Sequence, residues 1–111
     1  MNRNKLIDIF VSNLANAIIH QILEKAIDKK EISEGYHKEI KNSWEIANKY
    51  RQKINPINRS FPDKDFEEIK ERVTKKVLSE LNLRIQKGYE NINLSLVNEF
   101  VEKALKSMGL Q

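Results

Sequence analysis

Cysteine is absent from this chain of 111 residues, glycine occurs three times and proline twice. The lack of cysteine excludes a disulfide-stapled scaffold and a cysteine-based zinc site. Three scattered glycines cannot form a glycine-rich loop that cradles phosphate. Apolar residues make up 40% of the chain, which is too high a share for a fully disordered protein. The length suits one core, so we expect residues 1–111 to form a single domain.

A long uninterrupted apolar run is also missing. The most apolar segment, residues 6–27, is broken by Asp8, Asn13, Glu24 and Lys25 among others, whereas a membrane span needs about 20 mostly apolar residues. The same segment lacks a compact apolar stretch followed by a small-residue cleavage site, so we expect no signal peptide. We therefore predict a cytoplasmic protein with no membrane partner.

Apolar residues recur at helical spacing in four segments, at about residues 5–29, 34–54, 64–87 and 94–108. In none of them do apolar and polar residues alternate as they do in a half-buried strand. The segments are joined by short connections, and the last is the shortest. This pattern predicts an all-α, single-domain helical bundle of about four helices, three long and one short.

Local signals refine the ends of these helices. Gly88 is placed to end the third helix in a left-handed conformation, and Asn93 is the predicted N-cap of the fourth. Residues 55–62 contain both prolines and are predicted to form the one clear linker. The linker's two large apolar residues, Ile57 and Phe61, are expected to pack onto the bundle.

The first segment is apolar around roughly 200° of its helical wheel, at about 100° per residue. An ordinary surface helix needs an apolar stripe only a little wider than about 100°. One explanation is a central helix enclosed within a monomer. The other, which we prefer, is a homodimer, because a small domain has few helices to cover such an arc and two-fold pairing is the commonest symmetric solution. The predicted interface residues are Ile7, Phe10, Val11, Leu14, Ile18 and Ile22.

Positive charge is concentrated in residues 36–62, which carry six basic and two acidic groups and hence a net charge of +4. A basic helix face can follow the phosphates of a nucleic acid, although a solvated helix face is also commonly rich in lysine. Tyr36, Trp44 and Tyr50 fall on the opposite, apolar side, which favours packing over base stacking. The candidate phosphate contacts are Lys38, Lys41, Lys49, Arg51, Lys53 and Arg59.

Residues suited to metal binding or catalysis are few. His20 and Glu24 are spaced i, i+4, and Glu34 and His37 are spaced i, i+3. Dimetal sites in helical bundles need two Glu-x-x-His motifs and further glutamates, and one such motif occurs here. We expect these histidines to pair with carboxylates, with no metal, no cofactor and no catalytic site.

The combined features predict a non-enzymatic helical interaction protein that self-associates and binds other macromolecules, including a further protein partner. The alternative is a small basic nucleic-acid-binding protein that uses the second helix and the loop after it. The sequence assigns no family.

Overall fold

The computed structural model describes residues 2–27, 30–54 and 63–109. Its helices are α1 (Arg3–Ala26), α2 (Lys30–Ile54), α3 (Asp63–Gln86) and α4 (Leu96–Ser107). The described chain is 86% helical and contains no strand. The predicted all-α bundle with three long helices and one short helix is confirmed.

Helix α1 is the centre of the bundle and packs against each of the other three helices. Helix α3 runs parallel to α1, since Asp8 pairs with Arg72 and Ser12 accepts a hydrogen bond from Lys76 at 3.0 Å. Helix α2 runs back along α1, and α4 runs back along both α1 and α3. Among the described helices, α2 packs against α1 alone.

The end of α3 forms as predicted at Gly88, whose φ is +98°. The amide of Gly88 donates to the carbonyl of Ile85, and the amide of Tyr89 donates to that of Arg84, both at 3.0 Å. This pair of bonds is a Schellman motif, which satisfies carbonyls that the helix leaves without partners. Glycine is favoured here because a side chain at positive φ is strained.

The other helix ends differ from the sequence prediction by up to a few residues. Helix α1 begins earlier, because the Asn2 side chain accepts from the Lys5 amide at 2.8 Å. Helix α4 begins two residues later than predicted. The Asn93 side chain accepts from the Ser95 amide at 3.1 Å and from its hydroxyl at 2.6 Å, so it stabilises the turn before the helix. The predicted linker 55–62 lies outside the described residues.

The prediction that Ile7, Phe10, Val11, Leu14, Ile18 and Ile22 form a subunit interface loses its premise. All six side chains are buried within one chain, from 9% exposed at Ile7 to 0% at Phe10, Leu14 and Ile18. Three helices placed around α1 cover its apolar arc, although the width of the arc predicts a need for a second copy. These residues are therefore unavailable to a second copy in this fold, whereas self-association itself stays a prediction.

By length and composition alone, α1 could cross a membrane. However, 61% of its apolar window is buried inside the bundle. Apolar side chains that already contact other helices of the same chain do not need lipid to remove them from water. The core position of α1 thus explains its composition, and a cytoplasmic location stays a prediction.

Spacing predicts that the buried stripe of α3 consists of Phe66, Ile69, Val73, Val77, Leu81 and Ile85. The first of these, Phe66, is partly buried and packs against the core, and the next four are all buried. The last predicted member, Ile85, is 39% exposed, so that prediction is wrong. Each four-residue step turns the side chain about 40° further around the helix. By the end of α3 the stripe has therefore rotated off the core.

Leu81 provides a test of this core. Its replacement by alanine leaves a cavity and should lower the free energy of unfolding by about 2–5 kcal/mol, measured by urea denaturation. The exposed Lys49 on α2 provides the control, since Lys49→Ala should change stability by less than about 0.5 kcal/mol. An unchanged urea midpoint for Leu81→Ala would contradict the register of α3.

Candidate functional site

His20 is buried between α1 and α2 and has a structural role there. Its Nδ1 donates to the carbonyl oxygen of Asn16 at 2.8 Å, and its Nε2 lies 3.6 Å from a carboxylate oxygen of Glu39. Its ring centroid is 5.4 Å from that of Tyr36. Asn16 also donates to the hydroxyl of Ser43 at 2.7 Å. These contacts join α1 to α2 and leave His20 little access to a substrate.

His37 lies apart from His20, with 77% of its side chain exposed and its Nδ1 3.9 Å from a carboxylate oxygen of Glu24. Glu24, which is four residues after His20, thus pairs with His37 on α2, whereas His20 pairs with Glu39. Within the described residues, no three or more histidine, aspartate or glutamate side chains come together as a metal site. The i, i+4 and i, i+3 spacings therefore do not assemble into one donor set.

The predicted basic face is largely present on α2. Four of the candidate phosphate contacts are exposed along its outer side, Lys38, Lys41, Lys49 and Lys53. Lys53 also places its Nζ 5.1 Å from the ring centroid of Tyr50. Arg59 lies outside the described residues. The α2 outer face, as we call these four lysines, remains available to solvent.

Arg51 does not belong to this face, and its assignment as a phosphate contact is wrong. It is only 2% exposed. Its Nε donates to the carbonyl of Met108 at 3.0 Å, and its Nη2 donates to that of Gly109 at 3.2 Å. Burial lowers the pKa of the Arg51 guanidinium from its ordinary value, because desolvation disfavours the charged form. Arg51 thus fastens the end of α4 to α2.

A spacing in the sequence could have revealed this role. Arg51 lies four residues after Ala47 and three before Ile54, on the apolar stripe of α2 rather than on its lysine face. A count of net charge does not distinguish the buried Arg51 from the exposed lysines of α2. The partner carbonyls lie 57 and 58 residues further along the chain, so no local pattern could identify them.

Removal of the Arg51 side chain should detach the end of α4. Arg51→Ala should lower the free energy of unfolding by about 2–4 kcal/mol, since charged hydrogen bonds are lost and buried carbonyls are left without donors. Amide hydrogen exchange in the last turn of α4 should speed up together with this loss. Lys53→Ala, on the exposed side, is the control. Equal stability of the two variants would show that Arg51 does not hold α4.

A groove of about 800 Å³ lies between α2 and α4, with part of α1 as its floor. The two walls do not pack against each other along their lengths. Arg51 joins them at the end where α4 finishes. The groove extends from there toward the end of the bundle where α1 finishes and α2 begins, where Glu24, Lys25 and His37 line it.

Four large apolar side chains line this groove in two matched pairs. Ile40 and Trp44 are spaced i, i+4 on α2, and Leu96 and Phe100 have the same spacing on α4. All four are only partly buried, and Trp44, Leu96 and Phe100 pack against the core. Helical spacing predicts inward faces for Ile40, Trp44 and Phe100. In the structure these faces meet the groove, which the spacing does not predict.

The charged residues of the groove are mostly paired. Lys103 donates to Glu99 at 2.9 Å, and the ring of His37 faces the carboxylate of Glu24. Lys25 differs, because its Nζ lies 5.7 Å from the ring centroid of Phe100 and forms no ion pair with any described residue. A cation is therefore held over an aromatic ring inside the groove.

A second group of apolar side chains is exposed at one end of the bundle. Helix α2 begins at this end and α3 finishes there. The exposed side chains, which we call the end patch, are Ile32, Leu83, Ile85 and Tyr89. Arg84 lies beside Tyr89, with its guanidinium carbon 5.9 Å from the ring centroid. One further exposed apolar residue, Ile46, lies midway along α2.

No family model, curated protein or solved structure matches this chain. The interpretation of its surfaces therefore depends on geometry and chemistry. A second, more polar depression lies between α3 and α4, where Leu78 is the one large apolar lining residue. The groove between α2 and α4 is the stronger candidate, because it combines greater volume with four large apolar side chains.

Proposed function

We propose that this chain is a non-enzymatic helical interaction protein whose groove between α2 and α4 binds a helix of another protein. One observation carries the proposal: the groove walls are two helices that both pack on α1 but not on each other. Packed helices lie about 8–10 Å apart. A further helix between α2 and α4 would contact both walls, as helix-in-groove recognition requires.

The side chains in the groove suit such a partner. Tryptophan is among the residues that dominate binding energy at protein interfaces, and Trp44 is accompanied by Phe100 on the facing wall. Each Å² of apolar surface removed from water contributes about 25 cal/mol. The matched i, i+4 pairs on the two walls form ridges between which the apolar stripe of a helix can lie.

Trp44, the only tryptophan, reports occupation of the groove directly. A tryptophan-free helical peptide, with leucines at i, i+3, i+4 and i+7 and with alanine and glutamine elsewhere, should shift Trp44 emission to shorter wavelength as it covers the indole. Phe100→Asp should abolish the shift by placing a charge in the groove. Ile46→Asp is the matched control because Ile46 is exposed outside the groove.

Circular dichroism of each variant verifies that it is folded before the titration. Absence of binding to the wild-type chain would contradict the proposal. Equal binding by the Phe100→Asp and Ile46→Asp variants would also contradict it, because the peptide would then lie elsewhere.

Self-association, as a homodimer, remains part of the proposal, with the end patch replacing the buried residues of α1. Covering an exposed apolar side chain such as Leu83 with a partner surface removes apolar area from water, which favours association. Sedimentation velocity at tens of micromolar should give the mass of a dimer for the wild-type chain and of a monomer for Leu83→Asp. A wild-type monomer under these conditions would exclude the homodimer.

The α2 outer face supports nucleic-acid binding as a second candidate function. Its four lysines extend along α2 over about 22 Å, at a rise of about 1.5 Å per residue. Replacement of all four by glutamine should remove any mobility shift of duplex DNA or RNA seen at low salt, and added salt should weaken the wild-type complex steeply. No shift at low salt would exclude this function.

A further inference from the structure

The groove contains a cation, Lys25, that forms no ion pair with the residues the structure describes. Lys25 lies in the last turn of α1 and lines the groove, and its Nζ faces the ring of Phe100. In contrast, Glu99 is paired with Lys103, and Glu24 lies 3.9 Å from the ring nitrogen of His37, a contact that is an ion pair only when His37 is protonated. The described residues of the groove thus offer a partner one positive group without an ion pair.

We propose that the helix bound by this groove is acidic, with a carboxylate on the edge of its apolar stripe that pairs with Lys25. This inference rests on the proposed function, since it specifies the chemistry of the groove's occupant. The apolar stripe would fill the space between the two walls, and the carboxylate would fix the position of the helix along them. A carboxylate partner could approach Lys25 because this residue lines the groove.

The charge around the groove favours the same kind of partner. The whole chain carries a net charge of +4, and the α2 outer face adds exposed lysines beside one wall. Lys38 directly follows the groove residue His37, and Lys41 directly follows Ile40. A positive potential of this kind raises the encounter rate with acidic surfaces and disfavours basic ones.

Three tryptophan-free peptides with the same leucine stripe test this inference. One has glutamates along both edges of the stripe, one has lysines there and one has glutamines. Titrations followed by Trp44 emission should show the glutamate peptide binding roughly fivefold or more tightly than the glutamine peptide. The lysine peptide should bind most weakly.

Charge reversal locates the effect at one residue. Lys25→Glu should invert the order, so that the lysine peptide binds more tightly than the glutamate peptide. Lys49→Glu makes the same change of net charge on the exposed side of α2, outside the groove, and should preserve the wild-type order. Added salt should reduce the preference of the wild-type chain.

The outcomes separate this inference from the proposed function. Failure of all three peptides to bind would contradict the groove as a docking site. Equal binding of all three, unaffected by Lys25→Glu, would leave the docking site intact and overturn the acidic partner. An equal effect of Lys49→Glu would also overturn it, because net charge alone would then explain the preference. Emission of Trp44 that depends on protein concentration without peptide would identify a second copy as the occupant and overturn it too.

Discussion

The side chains of α1 are covered on nearly every face, and the other three helices take their positions from it. Burial of a large aliphatic side chain stabilises a protein by roughly 1.5–3 kcal/mol, and α1 supplies about half of the buried apolar residues. Each outer helix needs only one apolar stripe to complete this arrangement. Among the described helices, α2 packs on α1 alone, so its other sides contact no further helix. The groove and the α2 outer face both include these sides.

Polar contacts then determine how α2 lies on α1. A purely apolar interface would permit shifts along the helix axes, whereas buried polar groups must find their partners. The bond between Asn16 and Ser43 and the contact between His20 and Glu39 fix one level of this pair. Arg51 joins α2 to the end of α4 instead. The same residues that resemble catalytic or phosphate-binding groups in the sequence therefore act as connections between helices.

Periodicity predicted the features that depend on a single helix, such as where it forms and ends. It failed for burial that depends on how several helices pack together. The four helices and the end of α3 at Gly88 follow from spacing and from the conformational preference of glycine. The enclosure of α1 could not be predicted, because a helical wheel shows the width of an apolar arc but not the number of neighbours around it. Ile85 shows the same limit, since its exposure depends on how far the rotating stripe of α3 stays under its neighbours. The groove could not be predicted for a related reason, because its lining residues, such as Trp44 and Phe100, lie far apart in the chain.

The topology explains why the groove exists. Helix α4 packs against α3 and α1, whereas α2 packs against α1. Among the described helices, this arrangement does not bring α2 and α4 into contact. Among the described residues, the Arg51 side chain connects α2 to the end of α4 through the carbonyls of Met108 and Gly109. A partner helix in the groove would therefore break no packing between α2 and α4. It would cover Trp44 and Phe100 while the core around α1 stays closed, which is why docking there needs no unfolding of the bundle.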